Sequence, residues 1–440
     1  MCMKNQFFVA LYLIAAIFIM QMSACEEPNP TTIPIISTSS ISGITSSSAM
    51  CGGSIGSDGG ATITARGVCY SSTNQTPTTA DNKTTDGFGA GSFTSNLTGL
   101  TANTLYYVRA YTTNSMGTNY GSVVNFTTSL PDIYVAGYEI NASGYSVAKY
   151  WKNGLAVSLT DGTKNAVALS IVVNNEDVYV AGHEKAFAKY WRNGAAINLT
   201  DGIVESIANS IVVNGEDVYT VGYERNPIGN PNAKYWKNGV STNLLFGTTN
   251  ANASAIFVSG ADIYVAGSGY DGSFTIAKYW KNGTVINLTD GTNPAFATSV
   301  FVTGQDVYIA GYEQSNSTGI SIAKYWKNGT AISLTNGESN AQATSIFVRG
   351  TDVYVAGYES NVVNYNSVAK YWKNGVAVSL TNGTYNAFAT SLVLNGTDIL
   401  VAGAENNASA NYVAKYWKNG VAANLTDGTN YAIANSIIVK

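Results

Sequence analysis

Ala148-Lys149-Tyr150-Trp151-Lys152-Asn153-Gly154 decides the fold, because it returns at Ala188, Ala233, Ala277, Ala323, Ala369 and Ala414 with a single change, Arg192 for Lys. All seven tryptophans of the 440-residue chain sit in these copies, at Trp151, Trp191, Trp236, Trp280, Trp326, Trp372 and Trp417. A second signature opens with an aspartate at Asp132, Asp177, Asp217, Asp262, Asp306, Asp352 and Asp398, at spacings of 45, 40, 45, 44, 46 and 46 residues. A period of that length belongs to a propeller or a solenoid.

Each repeat reads as four short strands. In the sixth they are Asp352–Glu359, Val368–Trp372, Val376–Leu380 and Phe388–Leu394. Lys373-Asn374-Gly375 joins the second run to the third, and Asn-Gly is a strong two-residue hairpin signal. About four residues separate the Ala-Thr-Ser run from the next aspartate. A blade's width, three strand spacings or roughly 14 Å, is more than so short a link comfortably crosses. The two runs are therefore expected to be adjacent strands of one blade, which makes residues 130–440 begin on a second strand and end on a first, Ile433–Val439. A solenoid has no use for that offset and needs polar caps, whereas a ring does use it. The expected fold is all-β, with a seven-bladed β-propeller closed by the C-terminal strand. It resembles WD-repeat and kelch propellers in architecture, not in motif.

Composition narrows the function. Charged residues make up 11% of the chain and the formal net charge is −4, well below the charge content usual for soluble domains. Fourteen of the 23 Lys and Arg lie inside the repeated stretch, so positive charge is distributed around a ring and nucleic acid is not an expected partner.

Lys4 precedes an apolar run, Phe7 to Met20, that is too short for a membrane span and suits a signal-peptide core. Met22-Ser23-Ala24-Cys25 follows. It resembles the bacterial lipobox, with Met22 where Leu is usual, and the resemblance implies removal of residues 1–24 and lipidation of Cys25. Glu26 and Glu27, in a tether spanning 25–31, resemble the surface-export signal of Bacteroidota lipoproteins. The implied address is the outer membrane at the cell surface, with the lipid as the membrane contact.

Residues 32–129 alternate short β-like runs with Gly, Ser, Asn and Asp clusters, the pattern of a β-sandwich. Ser57-Asp58-Gly59-Gly60 reads as the turn of a hairpin between Cys51–Ile55 and Ala61–Tyr70. Leu97 to Tyr106, with Tyr106 in a tyrosine-corner place, together with Ala110 to Gly117 and Val124 to Thr128, resembles a fibronectin type III domain. Gly59 to Cys69 is similar to the variant found in Bacteroidota surface proteins. A spacer role is expected over a ligand-binding one. Cys51 and Cys69 are a candidate disulfide pair, although a turn centred near Gly59 sets Cys51 opposite residue 66.

Between the Gly-Tyr-Glu and Ala-Lys-Tyr-Trp runs of each repeat, the second and third strands of a blade counted from its Ala-Thr-Ser strand, lie segments that vary: Ile140–Val147, Lys185–Phe187, Arg225–Asn232, Tyr270–Ile276, Gln314–Ile322, Ser360–Val368 and Asn406–Val413. They share a face with the connections between blades, and loops on a rigid scaffold commonly carry binding. Tyr145, Phe187, Tyr270, Phe274, Tyr365 and Tyr412 are the ligand-binding candidates, since aromatics amid Asn and Ser suit a glycan or a protein surface. The repeated tryptophans are expected to be packing elements. The glutamate in six of the seven repeats (Glu139, Glu184, Glu224, Glu313, Glu359, Glu405, with Gly269 in the fourth) is expected to face a neighbouring lysine. Thr-Asp-Gly and Thr-Asn-Gly turns, with Leu245-Phe246-Gly247 as the exception, offer too few oxygens for calcium. His183 is the only histidine and reads as a tolerated substitution where most repeats have Tyr. No metal, no cofactor and no catalytic residues are expected. The reading is therefore a monomeric, non-enzymatic surface binding or adhesion protein, against a polysaccharide-processing enzyme or a structural surface protein.

Overall fold

The computed structural model describes residues 30–244 and 250–440. The signal segment, Cys25 with Glu26 and Glu27, and the Leu245-Phe246-Gly247 turn lie outside the described residues. Every regular element among the described residues is a strand. The chain divides into two compact units, one ending at Pro131 and the other running from Asp132 to Lys440.

The second unit is a β-propeller of seven four-stranded antiparallel sheets. The sixth is typical: Ala341–Arg349, Asp352–Ser360, Ser367–Lys373 and Val376–Ser379 are hydrogen-bonded neighbours in that order. In the first sheet the order is completed from the far end of the chain, where Ala432–Val439 pairs antiparallel with Ile133–Ile140. Each short link before an aspartate is a hairpin within one sheet, as the reach argument requires.

The repeated stretch builds each sheet in three ways. In all seven turns the Asn and Gly both take positive φ, for example 52° at Asn153 and 83° at Gly154, the backbone of the type I′ hairpin. The Asn side chain then clamps the neighbouring strand. Asn153 Oδ1 accepts the Ile133 N–H at 2.9 Å, and Nδ2 donates to Asp132 Oδ1 at 2.7 Å. Lys152 donates to the other oxygen of Asp132 at 2.7 Å. Half-exposed pairs of this kind contribute little individually, but they recur in every sheet.

The tryptophans form the core. Each is 0–1% exposed and inserts between its own sheet and the preceding one. Trp326 of the fifth sheet packs with Tyr264, Ala266 and Ala277 of the fourth, and Trp372 of the sixth with Tyr308, Ala310 and Ala323 of the fifth. Trp151 of the first sheet packs with Leu400, Ala402 and Ala414 of the seventh. The alanine of each Ala-Lys-Tyr-Trp copy thus makes room for the next sheet's indole.

The innermost strand carries a bulge at the same place in every sheet, between Ala168 and Ser170 in the second. Opposite the bulge stands the repeated glycine, here Gly182, where a Cβ would collide with the Val167 carbonyl. The bulge turns a serine hydroxyl toward the next sheet. Ser436 accepts the Ile171 N–H at 3.4 Å, Ser345 that of Leu392 at 3.1 Å, and Ser391 that of Ile437 at 3.2 Å. The fourth sheet has Ala255 at this position.

The first unit has two sheets. Ile35–Thr38, Ser48–Ser57 and Gly91–Thr98 form one. Ala65–Ser71 and Leu105–Asn114 form the centre of the other. The expected hairpin across Ser57–Gly60 is therefore corrected: the turn exists, with φ of 70° at Gly59 and 75° at Gly60, but its flanking strands belong to different sheets. Both edges of Ser48–Ser57 are already occupied, by Ile35–Thr38 and by Gly91–Thr98. Cys51 consequently lies opposite Ser95, not residue 66. Tyr106 is buried, and its hydroxyl accepts the Thr101 N–H at 3.0 Å. Cys51 and Cys69 are buried, free thiols. Burial pushes both thiol pKa values up, that of Cys69 to about 11, where Arg109 and Lys83 pull the other way.

Two expectations follow. Trp326→Ala should cost about 3–5 kcal/mol of stability in urea titrations, the range for deleting a buried tryptophan, whereas Tyr365→Ala should stay within about 0.5 kcal/mol. Iodoacetamide at pH 8 should leave Cys51 and Cys69 unlabelled in the native protein and label both in urea without reductant. A bonded pair would stay unlabelled in both, as peptide mass spectrometry would read directly.

Candidate functional site

The strand-two to strand-three segments and the connections between sheets meet on one face, and hydrogen bonds tie them together. Asn141 Nδ2 donates to the Gly162 carbonyl at 2.8 Å, and Ser146 N–H donates to Asn165 Oδ1 at 3.0 Å. Asn340 and Asn386 hold Ser321 and Ser367 in the same way, each at 2.9 Å. Loop and connection are thus a braced surface.

Beneath it the repeated glutamates face the first lysine of the repeat, as expected. Glu139–Lys149 and Glu313–Lys324 are 2.5 Å apart, Glu359–Lys370 and Glu405–Lys415 2.6 Å. Glu184–Lys189 and Glu224–Lys234 complete the six. In the fourth sheet, where Gly269 stands, burial lowers the Lys278 pKa and Asp271 supplies the opposing negative charge.

Of the six aromatic candidates, three reach solvent: Tyr365 is 80% exposed, Tyr145 41% and Tyr270 40%. Phe187, Phe274 and Tyr412 are half-buried. Phe187 packs over Gly202, and Tyr412 stands edge-on to Phe388 and to Tyr431, with ring centroids 5.1 and 5.3 Å apart. Tyr431 in turn stacks on Tyr138 at 6.2 Å, and Phe296 on Tyr312 at 4.9 Å. Burial, with Tyr312 and Tyr412 nearby, pushes the Tyr358 phenol up to about 12. Sequence reasoning singled out Tyr412 but missed its companions Tyr138, Tyr312, Tyr358 and Tyr431. For Tyr138, Tyr312 and Tyr358 the signal was the Tyr of the Gly-Tyr-Glu run, read only as framework; Tyr431 lies in the connection before the last strand and belongs to no repeated run.

Two cavities open on this face. One, of about 690 Å³, lies between the fifth and sixth sheets and is lined by Glu338, Asn361, Val362 and the paired Glu359 and Lys370. The other, of about 630 Å³, is lined by Tyr145, Thr163, Lys164, Asn165, His183, Lys185, Glu205 and Ile207. It exists because the second sheet's loop is short. Only Lys185 and Ala186 separate Glu184 from Phe187, whereas four to six residues separate the corresponding strands elsewhere. That deletion produces the 40-residue spacing between Asp177 and Asp217.

Here the repeat also changes chemistry. Glu205 takes the place held by Asn165, Asn340 and Asn386 in other connections. It accepts the Tyr223 hydroxyl at 2.8 Å and lies 3.4 Å from Arg225. His183 Nδ1 is buried without a hydrogen-bond partner. Burial holds its imidazole below the ordinary pKa, against weaker upward pulls from the Lys185 backbone and Glu205. The side chains can offer stacking, hydrogen bonds and positive charge. The cavity brings one carboxylate, Glu205, where glycoside hydrolysis by a carboxyl pair needs two. Among the described residues no cluster of His, Cys, Asp and Glu has the makings of a metal site.

No protein-family model and no curated protein matches the chain. Among solved structures it is similar to a puromycin-hydrolysing peptidase of Mycobacterium tuberculosis, at 12% identity and a TM-score of 0.47, covering 68% of this chain and 53% of that one. It thus spans about half the peptidase's length. It is also similar to the β-propeller domain of the trilobed protease from Pyrococcus furiosus, described as having an open velcro topology, at 11% identity and TM-score 0.38, with 80% and 98% coverage. A DUF4784 family protein from Bacteroides caccae follows at 10% identity and TM-score 0.28, with 92% and 98% coverage. Likeness of this order carries no argument about chemistry.

A buried, neutral histidine should leave a pH signature. Its folded pKa is depressed, so the unfolded chain binds the proton first. The contribution is present above the unfolded value, about 6.5, and is lost as pH falls through that value toward the folded one. The urea midpoint of the native protein should therefore fall between pH 7.5 and 5.5 by more than that of His183→Tyr, which restores the residue of most other repeats.

Proposed function

We propose that the protein is a lipid-anchored outer-membrane protein of the cell surface whose propeller binds a ligand, without catalysis, through its variable-loop face. In this reading Cys25 carries the lipid. The 32–129 unit, a fibronectin type III-like domain, is a spacer. The C-terminal strand acts as the clasp that closes the ring. The tryptophans take no part in binding, being sealed between sheets.

The observation that carries the reading is the concentration of aromatic side chains on one braced face: Tyr145, Tyr270 and Tyr365 in solvent, with half-buried tyrosines behind them. A phenol ring offers a flat apolar face at little conformational cost together with a polar edge, which is what the faces and hydroxyls of a sugar ring require. Asn-rich loops beside the rings supply donors and acceptors, and both cavities are large enough for one or two sugar units. A glycan is favoured over a protein because Tyr145, Tyr270 and Tyr365 stand on the loops of three separate sheets amid Asn and Ser, with exposed Val362 and Val363 beside Tyr365 alone, whereas protein partners cover one contiguous apolar patch.

A glycan array probed with the purified protein tests this. Binding is expected, and Tyr270→Ala with Tyr365→Ala should abolish or weaken it while the thermal transition stays in place. An array without signal, followed by capture of a cell-surface protein through the same tyrosines, would replace the glycan with a protein partner. Release of reducing ends from a bound polysaccharide would move the protein to the enzyme class.

A further inference from the structure

The cavity over the second sheet differs from the rest of the propeller in charge as well as in shape. Between Asp132 and Lys440, every lysine outside the repeated stretch is Lys164, Lys185 or the terminal Lys440. Two of those three line this one cavity. Apart from Lys278, the repeat's lysines pair with the strand aspartates or with the half-buried glutamates. Lys164 and Lys185 are exposed, and neither has an ion-pair partner within 4 Å among the described residues. Asp161 is the acid nearest in influence to Lys164, but its carboxylate is already engaged by the Thr163 N–H and hydroxyl at 2.9 and 2.7 Å. Glu205, the one carboxylate lining the cavity, has Arg225 at 3.4 Å and Tyr223 at 2.8 Å. In a chain of net charge −4, the cavity is left with an excess of positive charge.

Three further features set what fits. Tyr145, 41% exposed, lines the cavity and offers it an aromatic ring. His183 forms part of the wall, its Nδ1 buried and without a hydrogen-bond partner. Thr163 and Asn165 add short polar groups. We propose that this cavity binds an acidic sugar unit, a pyranose bearing a carboxylate. Its ring stacks on Tyr145, its carboxylate lies between Lys164 and Lys185, and its body rests against the wall that His183 forms. The proposal rests on the glycan-binding reading and narrows it to anionic polysaccharide. A neutral sugar would leave two ammonium groups without a counter-charge, and a flexible acidic peptide would leave the tyrosine ring unused.

The test is calorimetric titration of the full chain with oligogalacturonate and with its methyl ester, which keeps the ring and removes the charge. Oligogalacturonate should bind and the ester should bind at least about tenfold more weakly, as loss of a charge-assisted contact predicts. Lys164→Ala with Lys185→Ala should remove that difference, and raising salt should erode it. Tyr145→Ala should weaken both ligands alike. His183→Tyr places in the cavity the residue that most other sheets accommodate, so it should fold and lose oligogalacturonate binding. Ester and acid binding equally would overturn the assignment of the lysines. Oligoglutamate of equal charge binding as tightly as oligogalacturonate would reduce the cavity to an anion patch. Neutral glycans bound at Tyr270 and Tyr365 with no uronate bound would sink this inference and leave the broader reading standing. No glycan bound anywhere would sink both.

Discussion

An indole held between two sheets is the contact on which the propeller depends. Each tryptophan leaves its own sheet and is received by alanines of the sheet before it, as Trp326 is by Ala266 and Ala277. The receiving positions are a pair of alanines in six sheets and Val221 with Ala233 in the third, because a much larger side chain would compete for the same space in a densely packed interior. The tyrosine of each Asp-X-Tyr run closes the pocket from the side, as Tyr264 does. One residue type at one position therefore shapes the residues around it in the preceding sheet, and the same solution recurs around the ring with Val221 for an alanine in the third sheet and Leu400 for the tyrosine in the seventh. With seven copies the last sheet meets the first, where Trp151 packs on Ala402 and Ala414.

Nearer the axis a second, weaker ring runs in the same direction. In six of the seven inner strands a backbone N–H beside the bulge is met by a serine from the preceding sheet. Such a bond contributes modestly by itself, but leaving a buried amide without a partner costs more than the bond contributes. The bulge in turn requires glycine on the neighbouring strand. The glycine of the Val-Ala-Gly run is thus a consequence of inner-strand geometry, not of a turn. The fourth sheet departs twice, with Gly269 for the glutamate and with Ala255 for the serine, which cannot make that bond to the fifth sheet.

Much of this was legible in the chain because the signals were local and repeated. Asn-Gly specifies its own backbone, short links specify which strands are neighbours, and seven tryptophans in register specify a packing element. Ser57-Asp58-Gly59-Gly60 misled for an instructive reason. Glycines at positive φ reverse the chain, but they do not say whether the strands on either side pair with each other or step to another sheet. That choice belongs to Ile35–Thr38 and Gly91–Thr98, both distant in sequence. The second cavity was obscured for a different reason. His183, Lys164, Lys185 and Glu205 are singular residues on separate segments, and only folding the ring brings them together. The visible trace was the 40-residue spacing, a loop deletion whose consequence is spatial.

A repeated scaffold makes departures informative. Where a side chain serves packing, it recurs; where it serves a ligand, nothing obliges the other sheets to carry it. The paired lysines and glutamates beneath the loops follow the repeat and are explained by each other. The second sheet instead loses most of its loop, exchanges a tyrosine for a histidine, and gathers unpaired lysines around the space that results. A shortened loop alone would be neutral surface variation. Added charge alone would be a solvated side chain. Together they remove protein volume and place uncompensated charge at the same point, which packing does not require and an anionic ligand would satisfy.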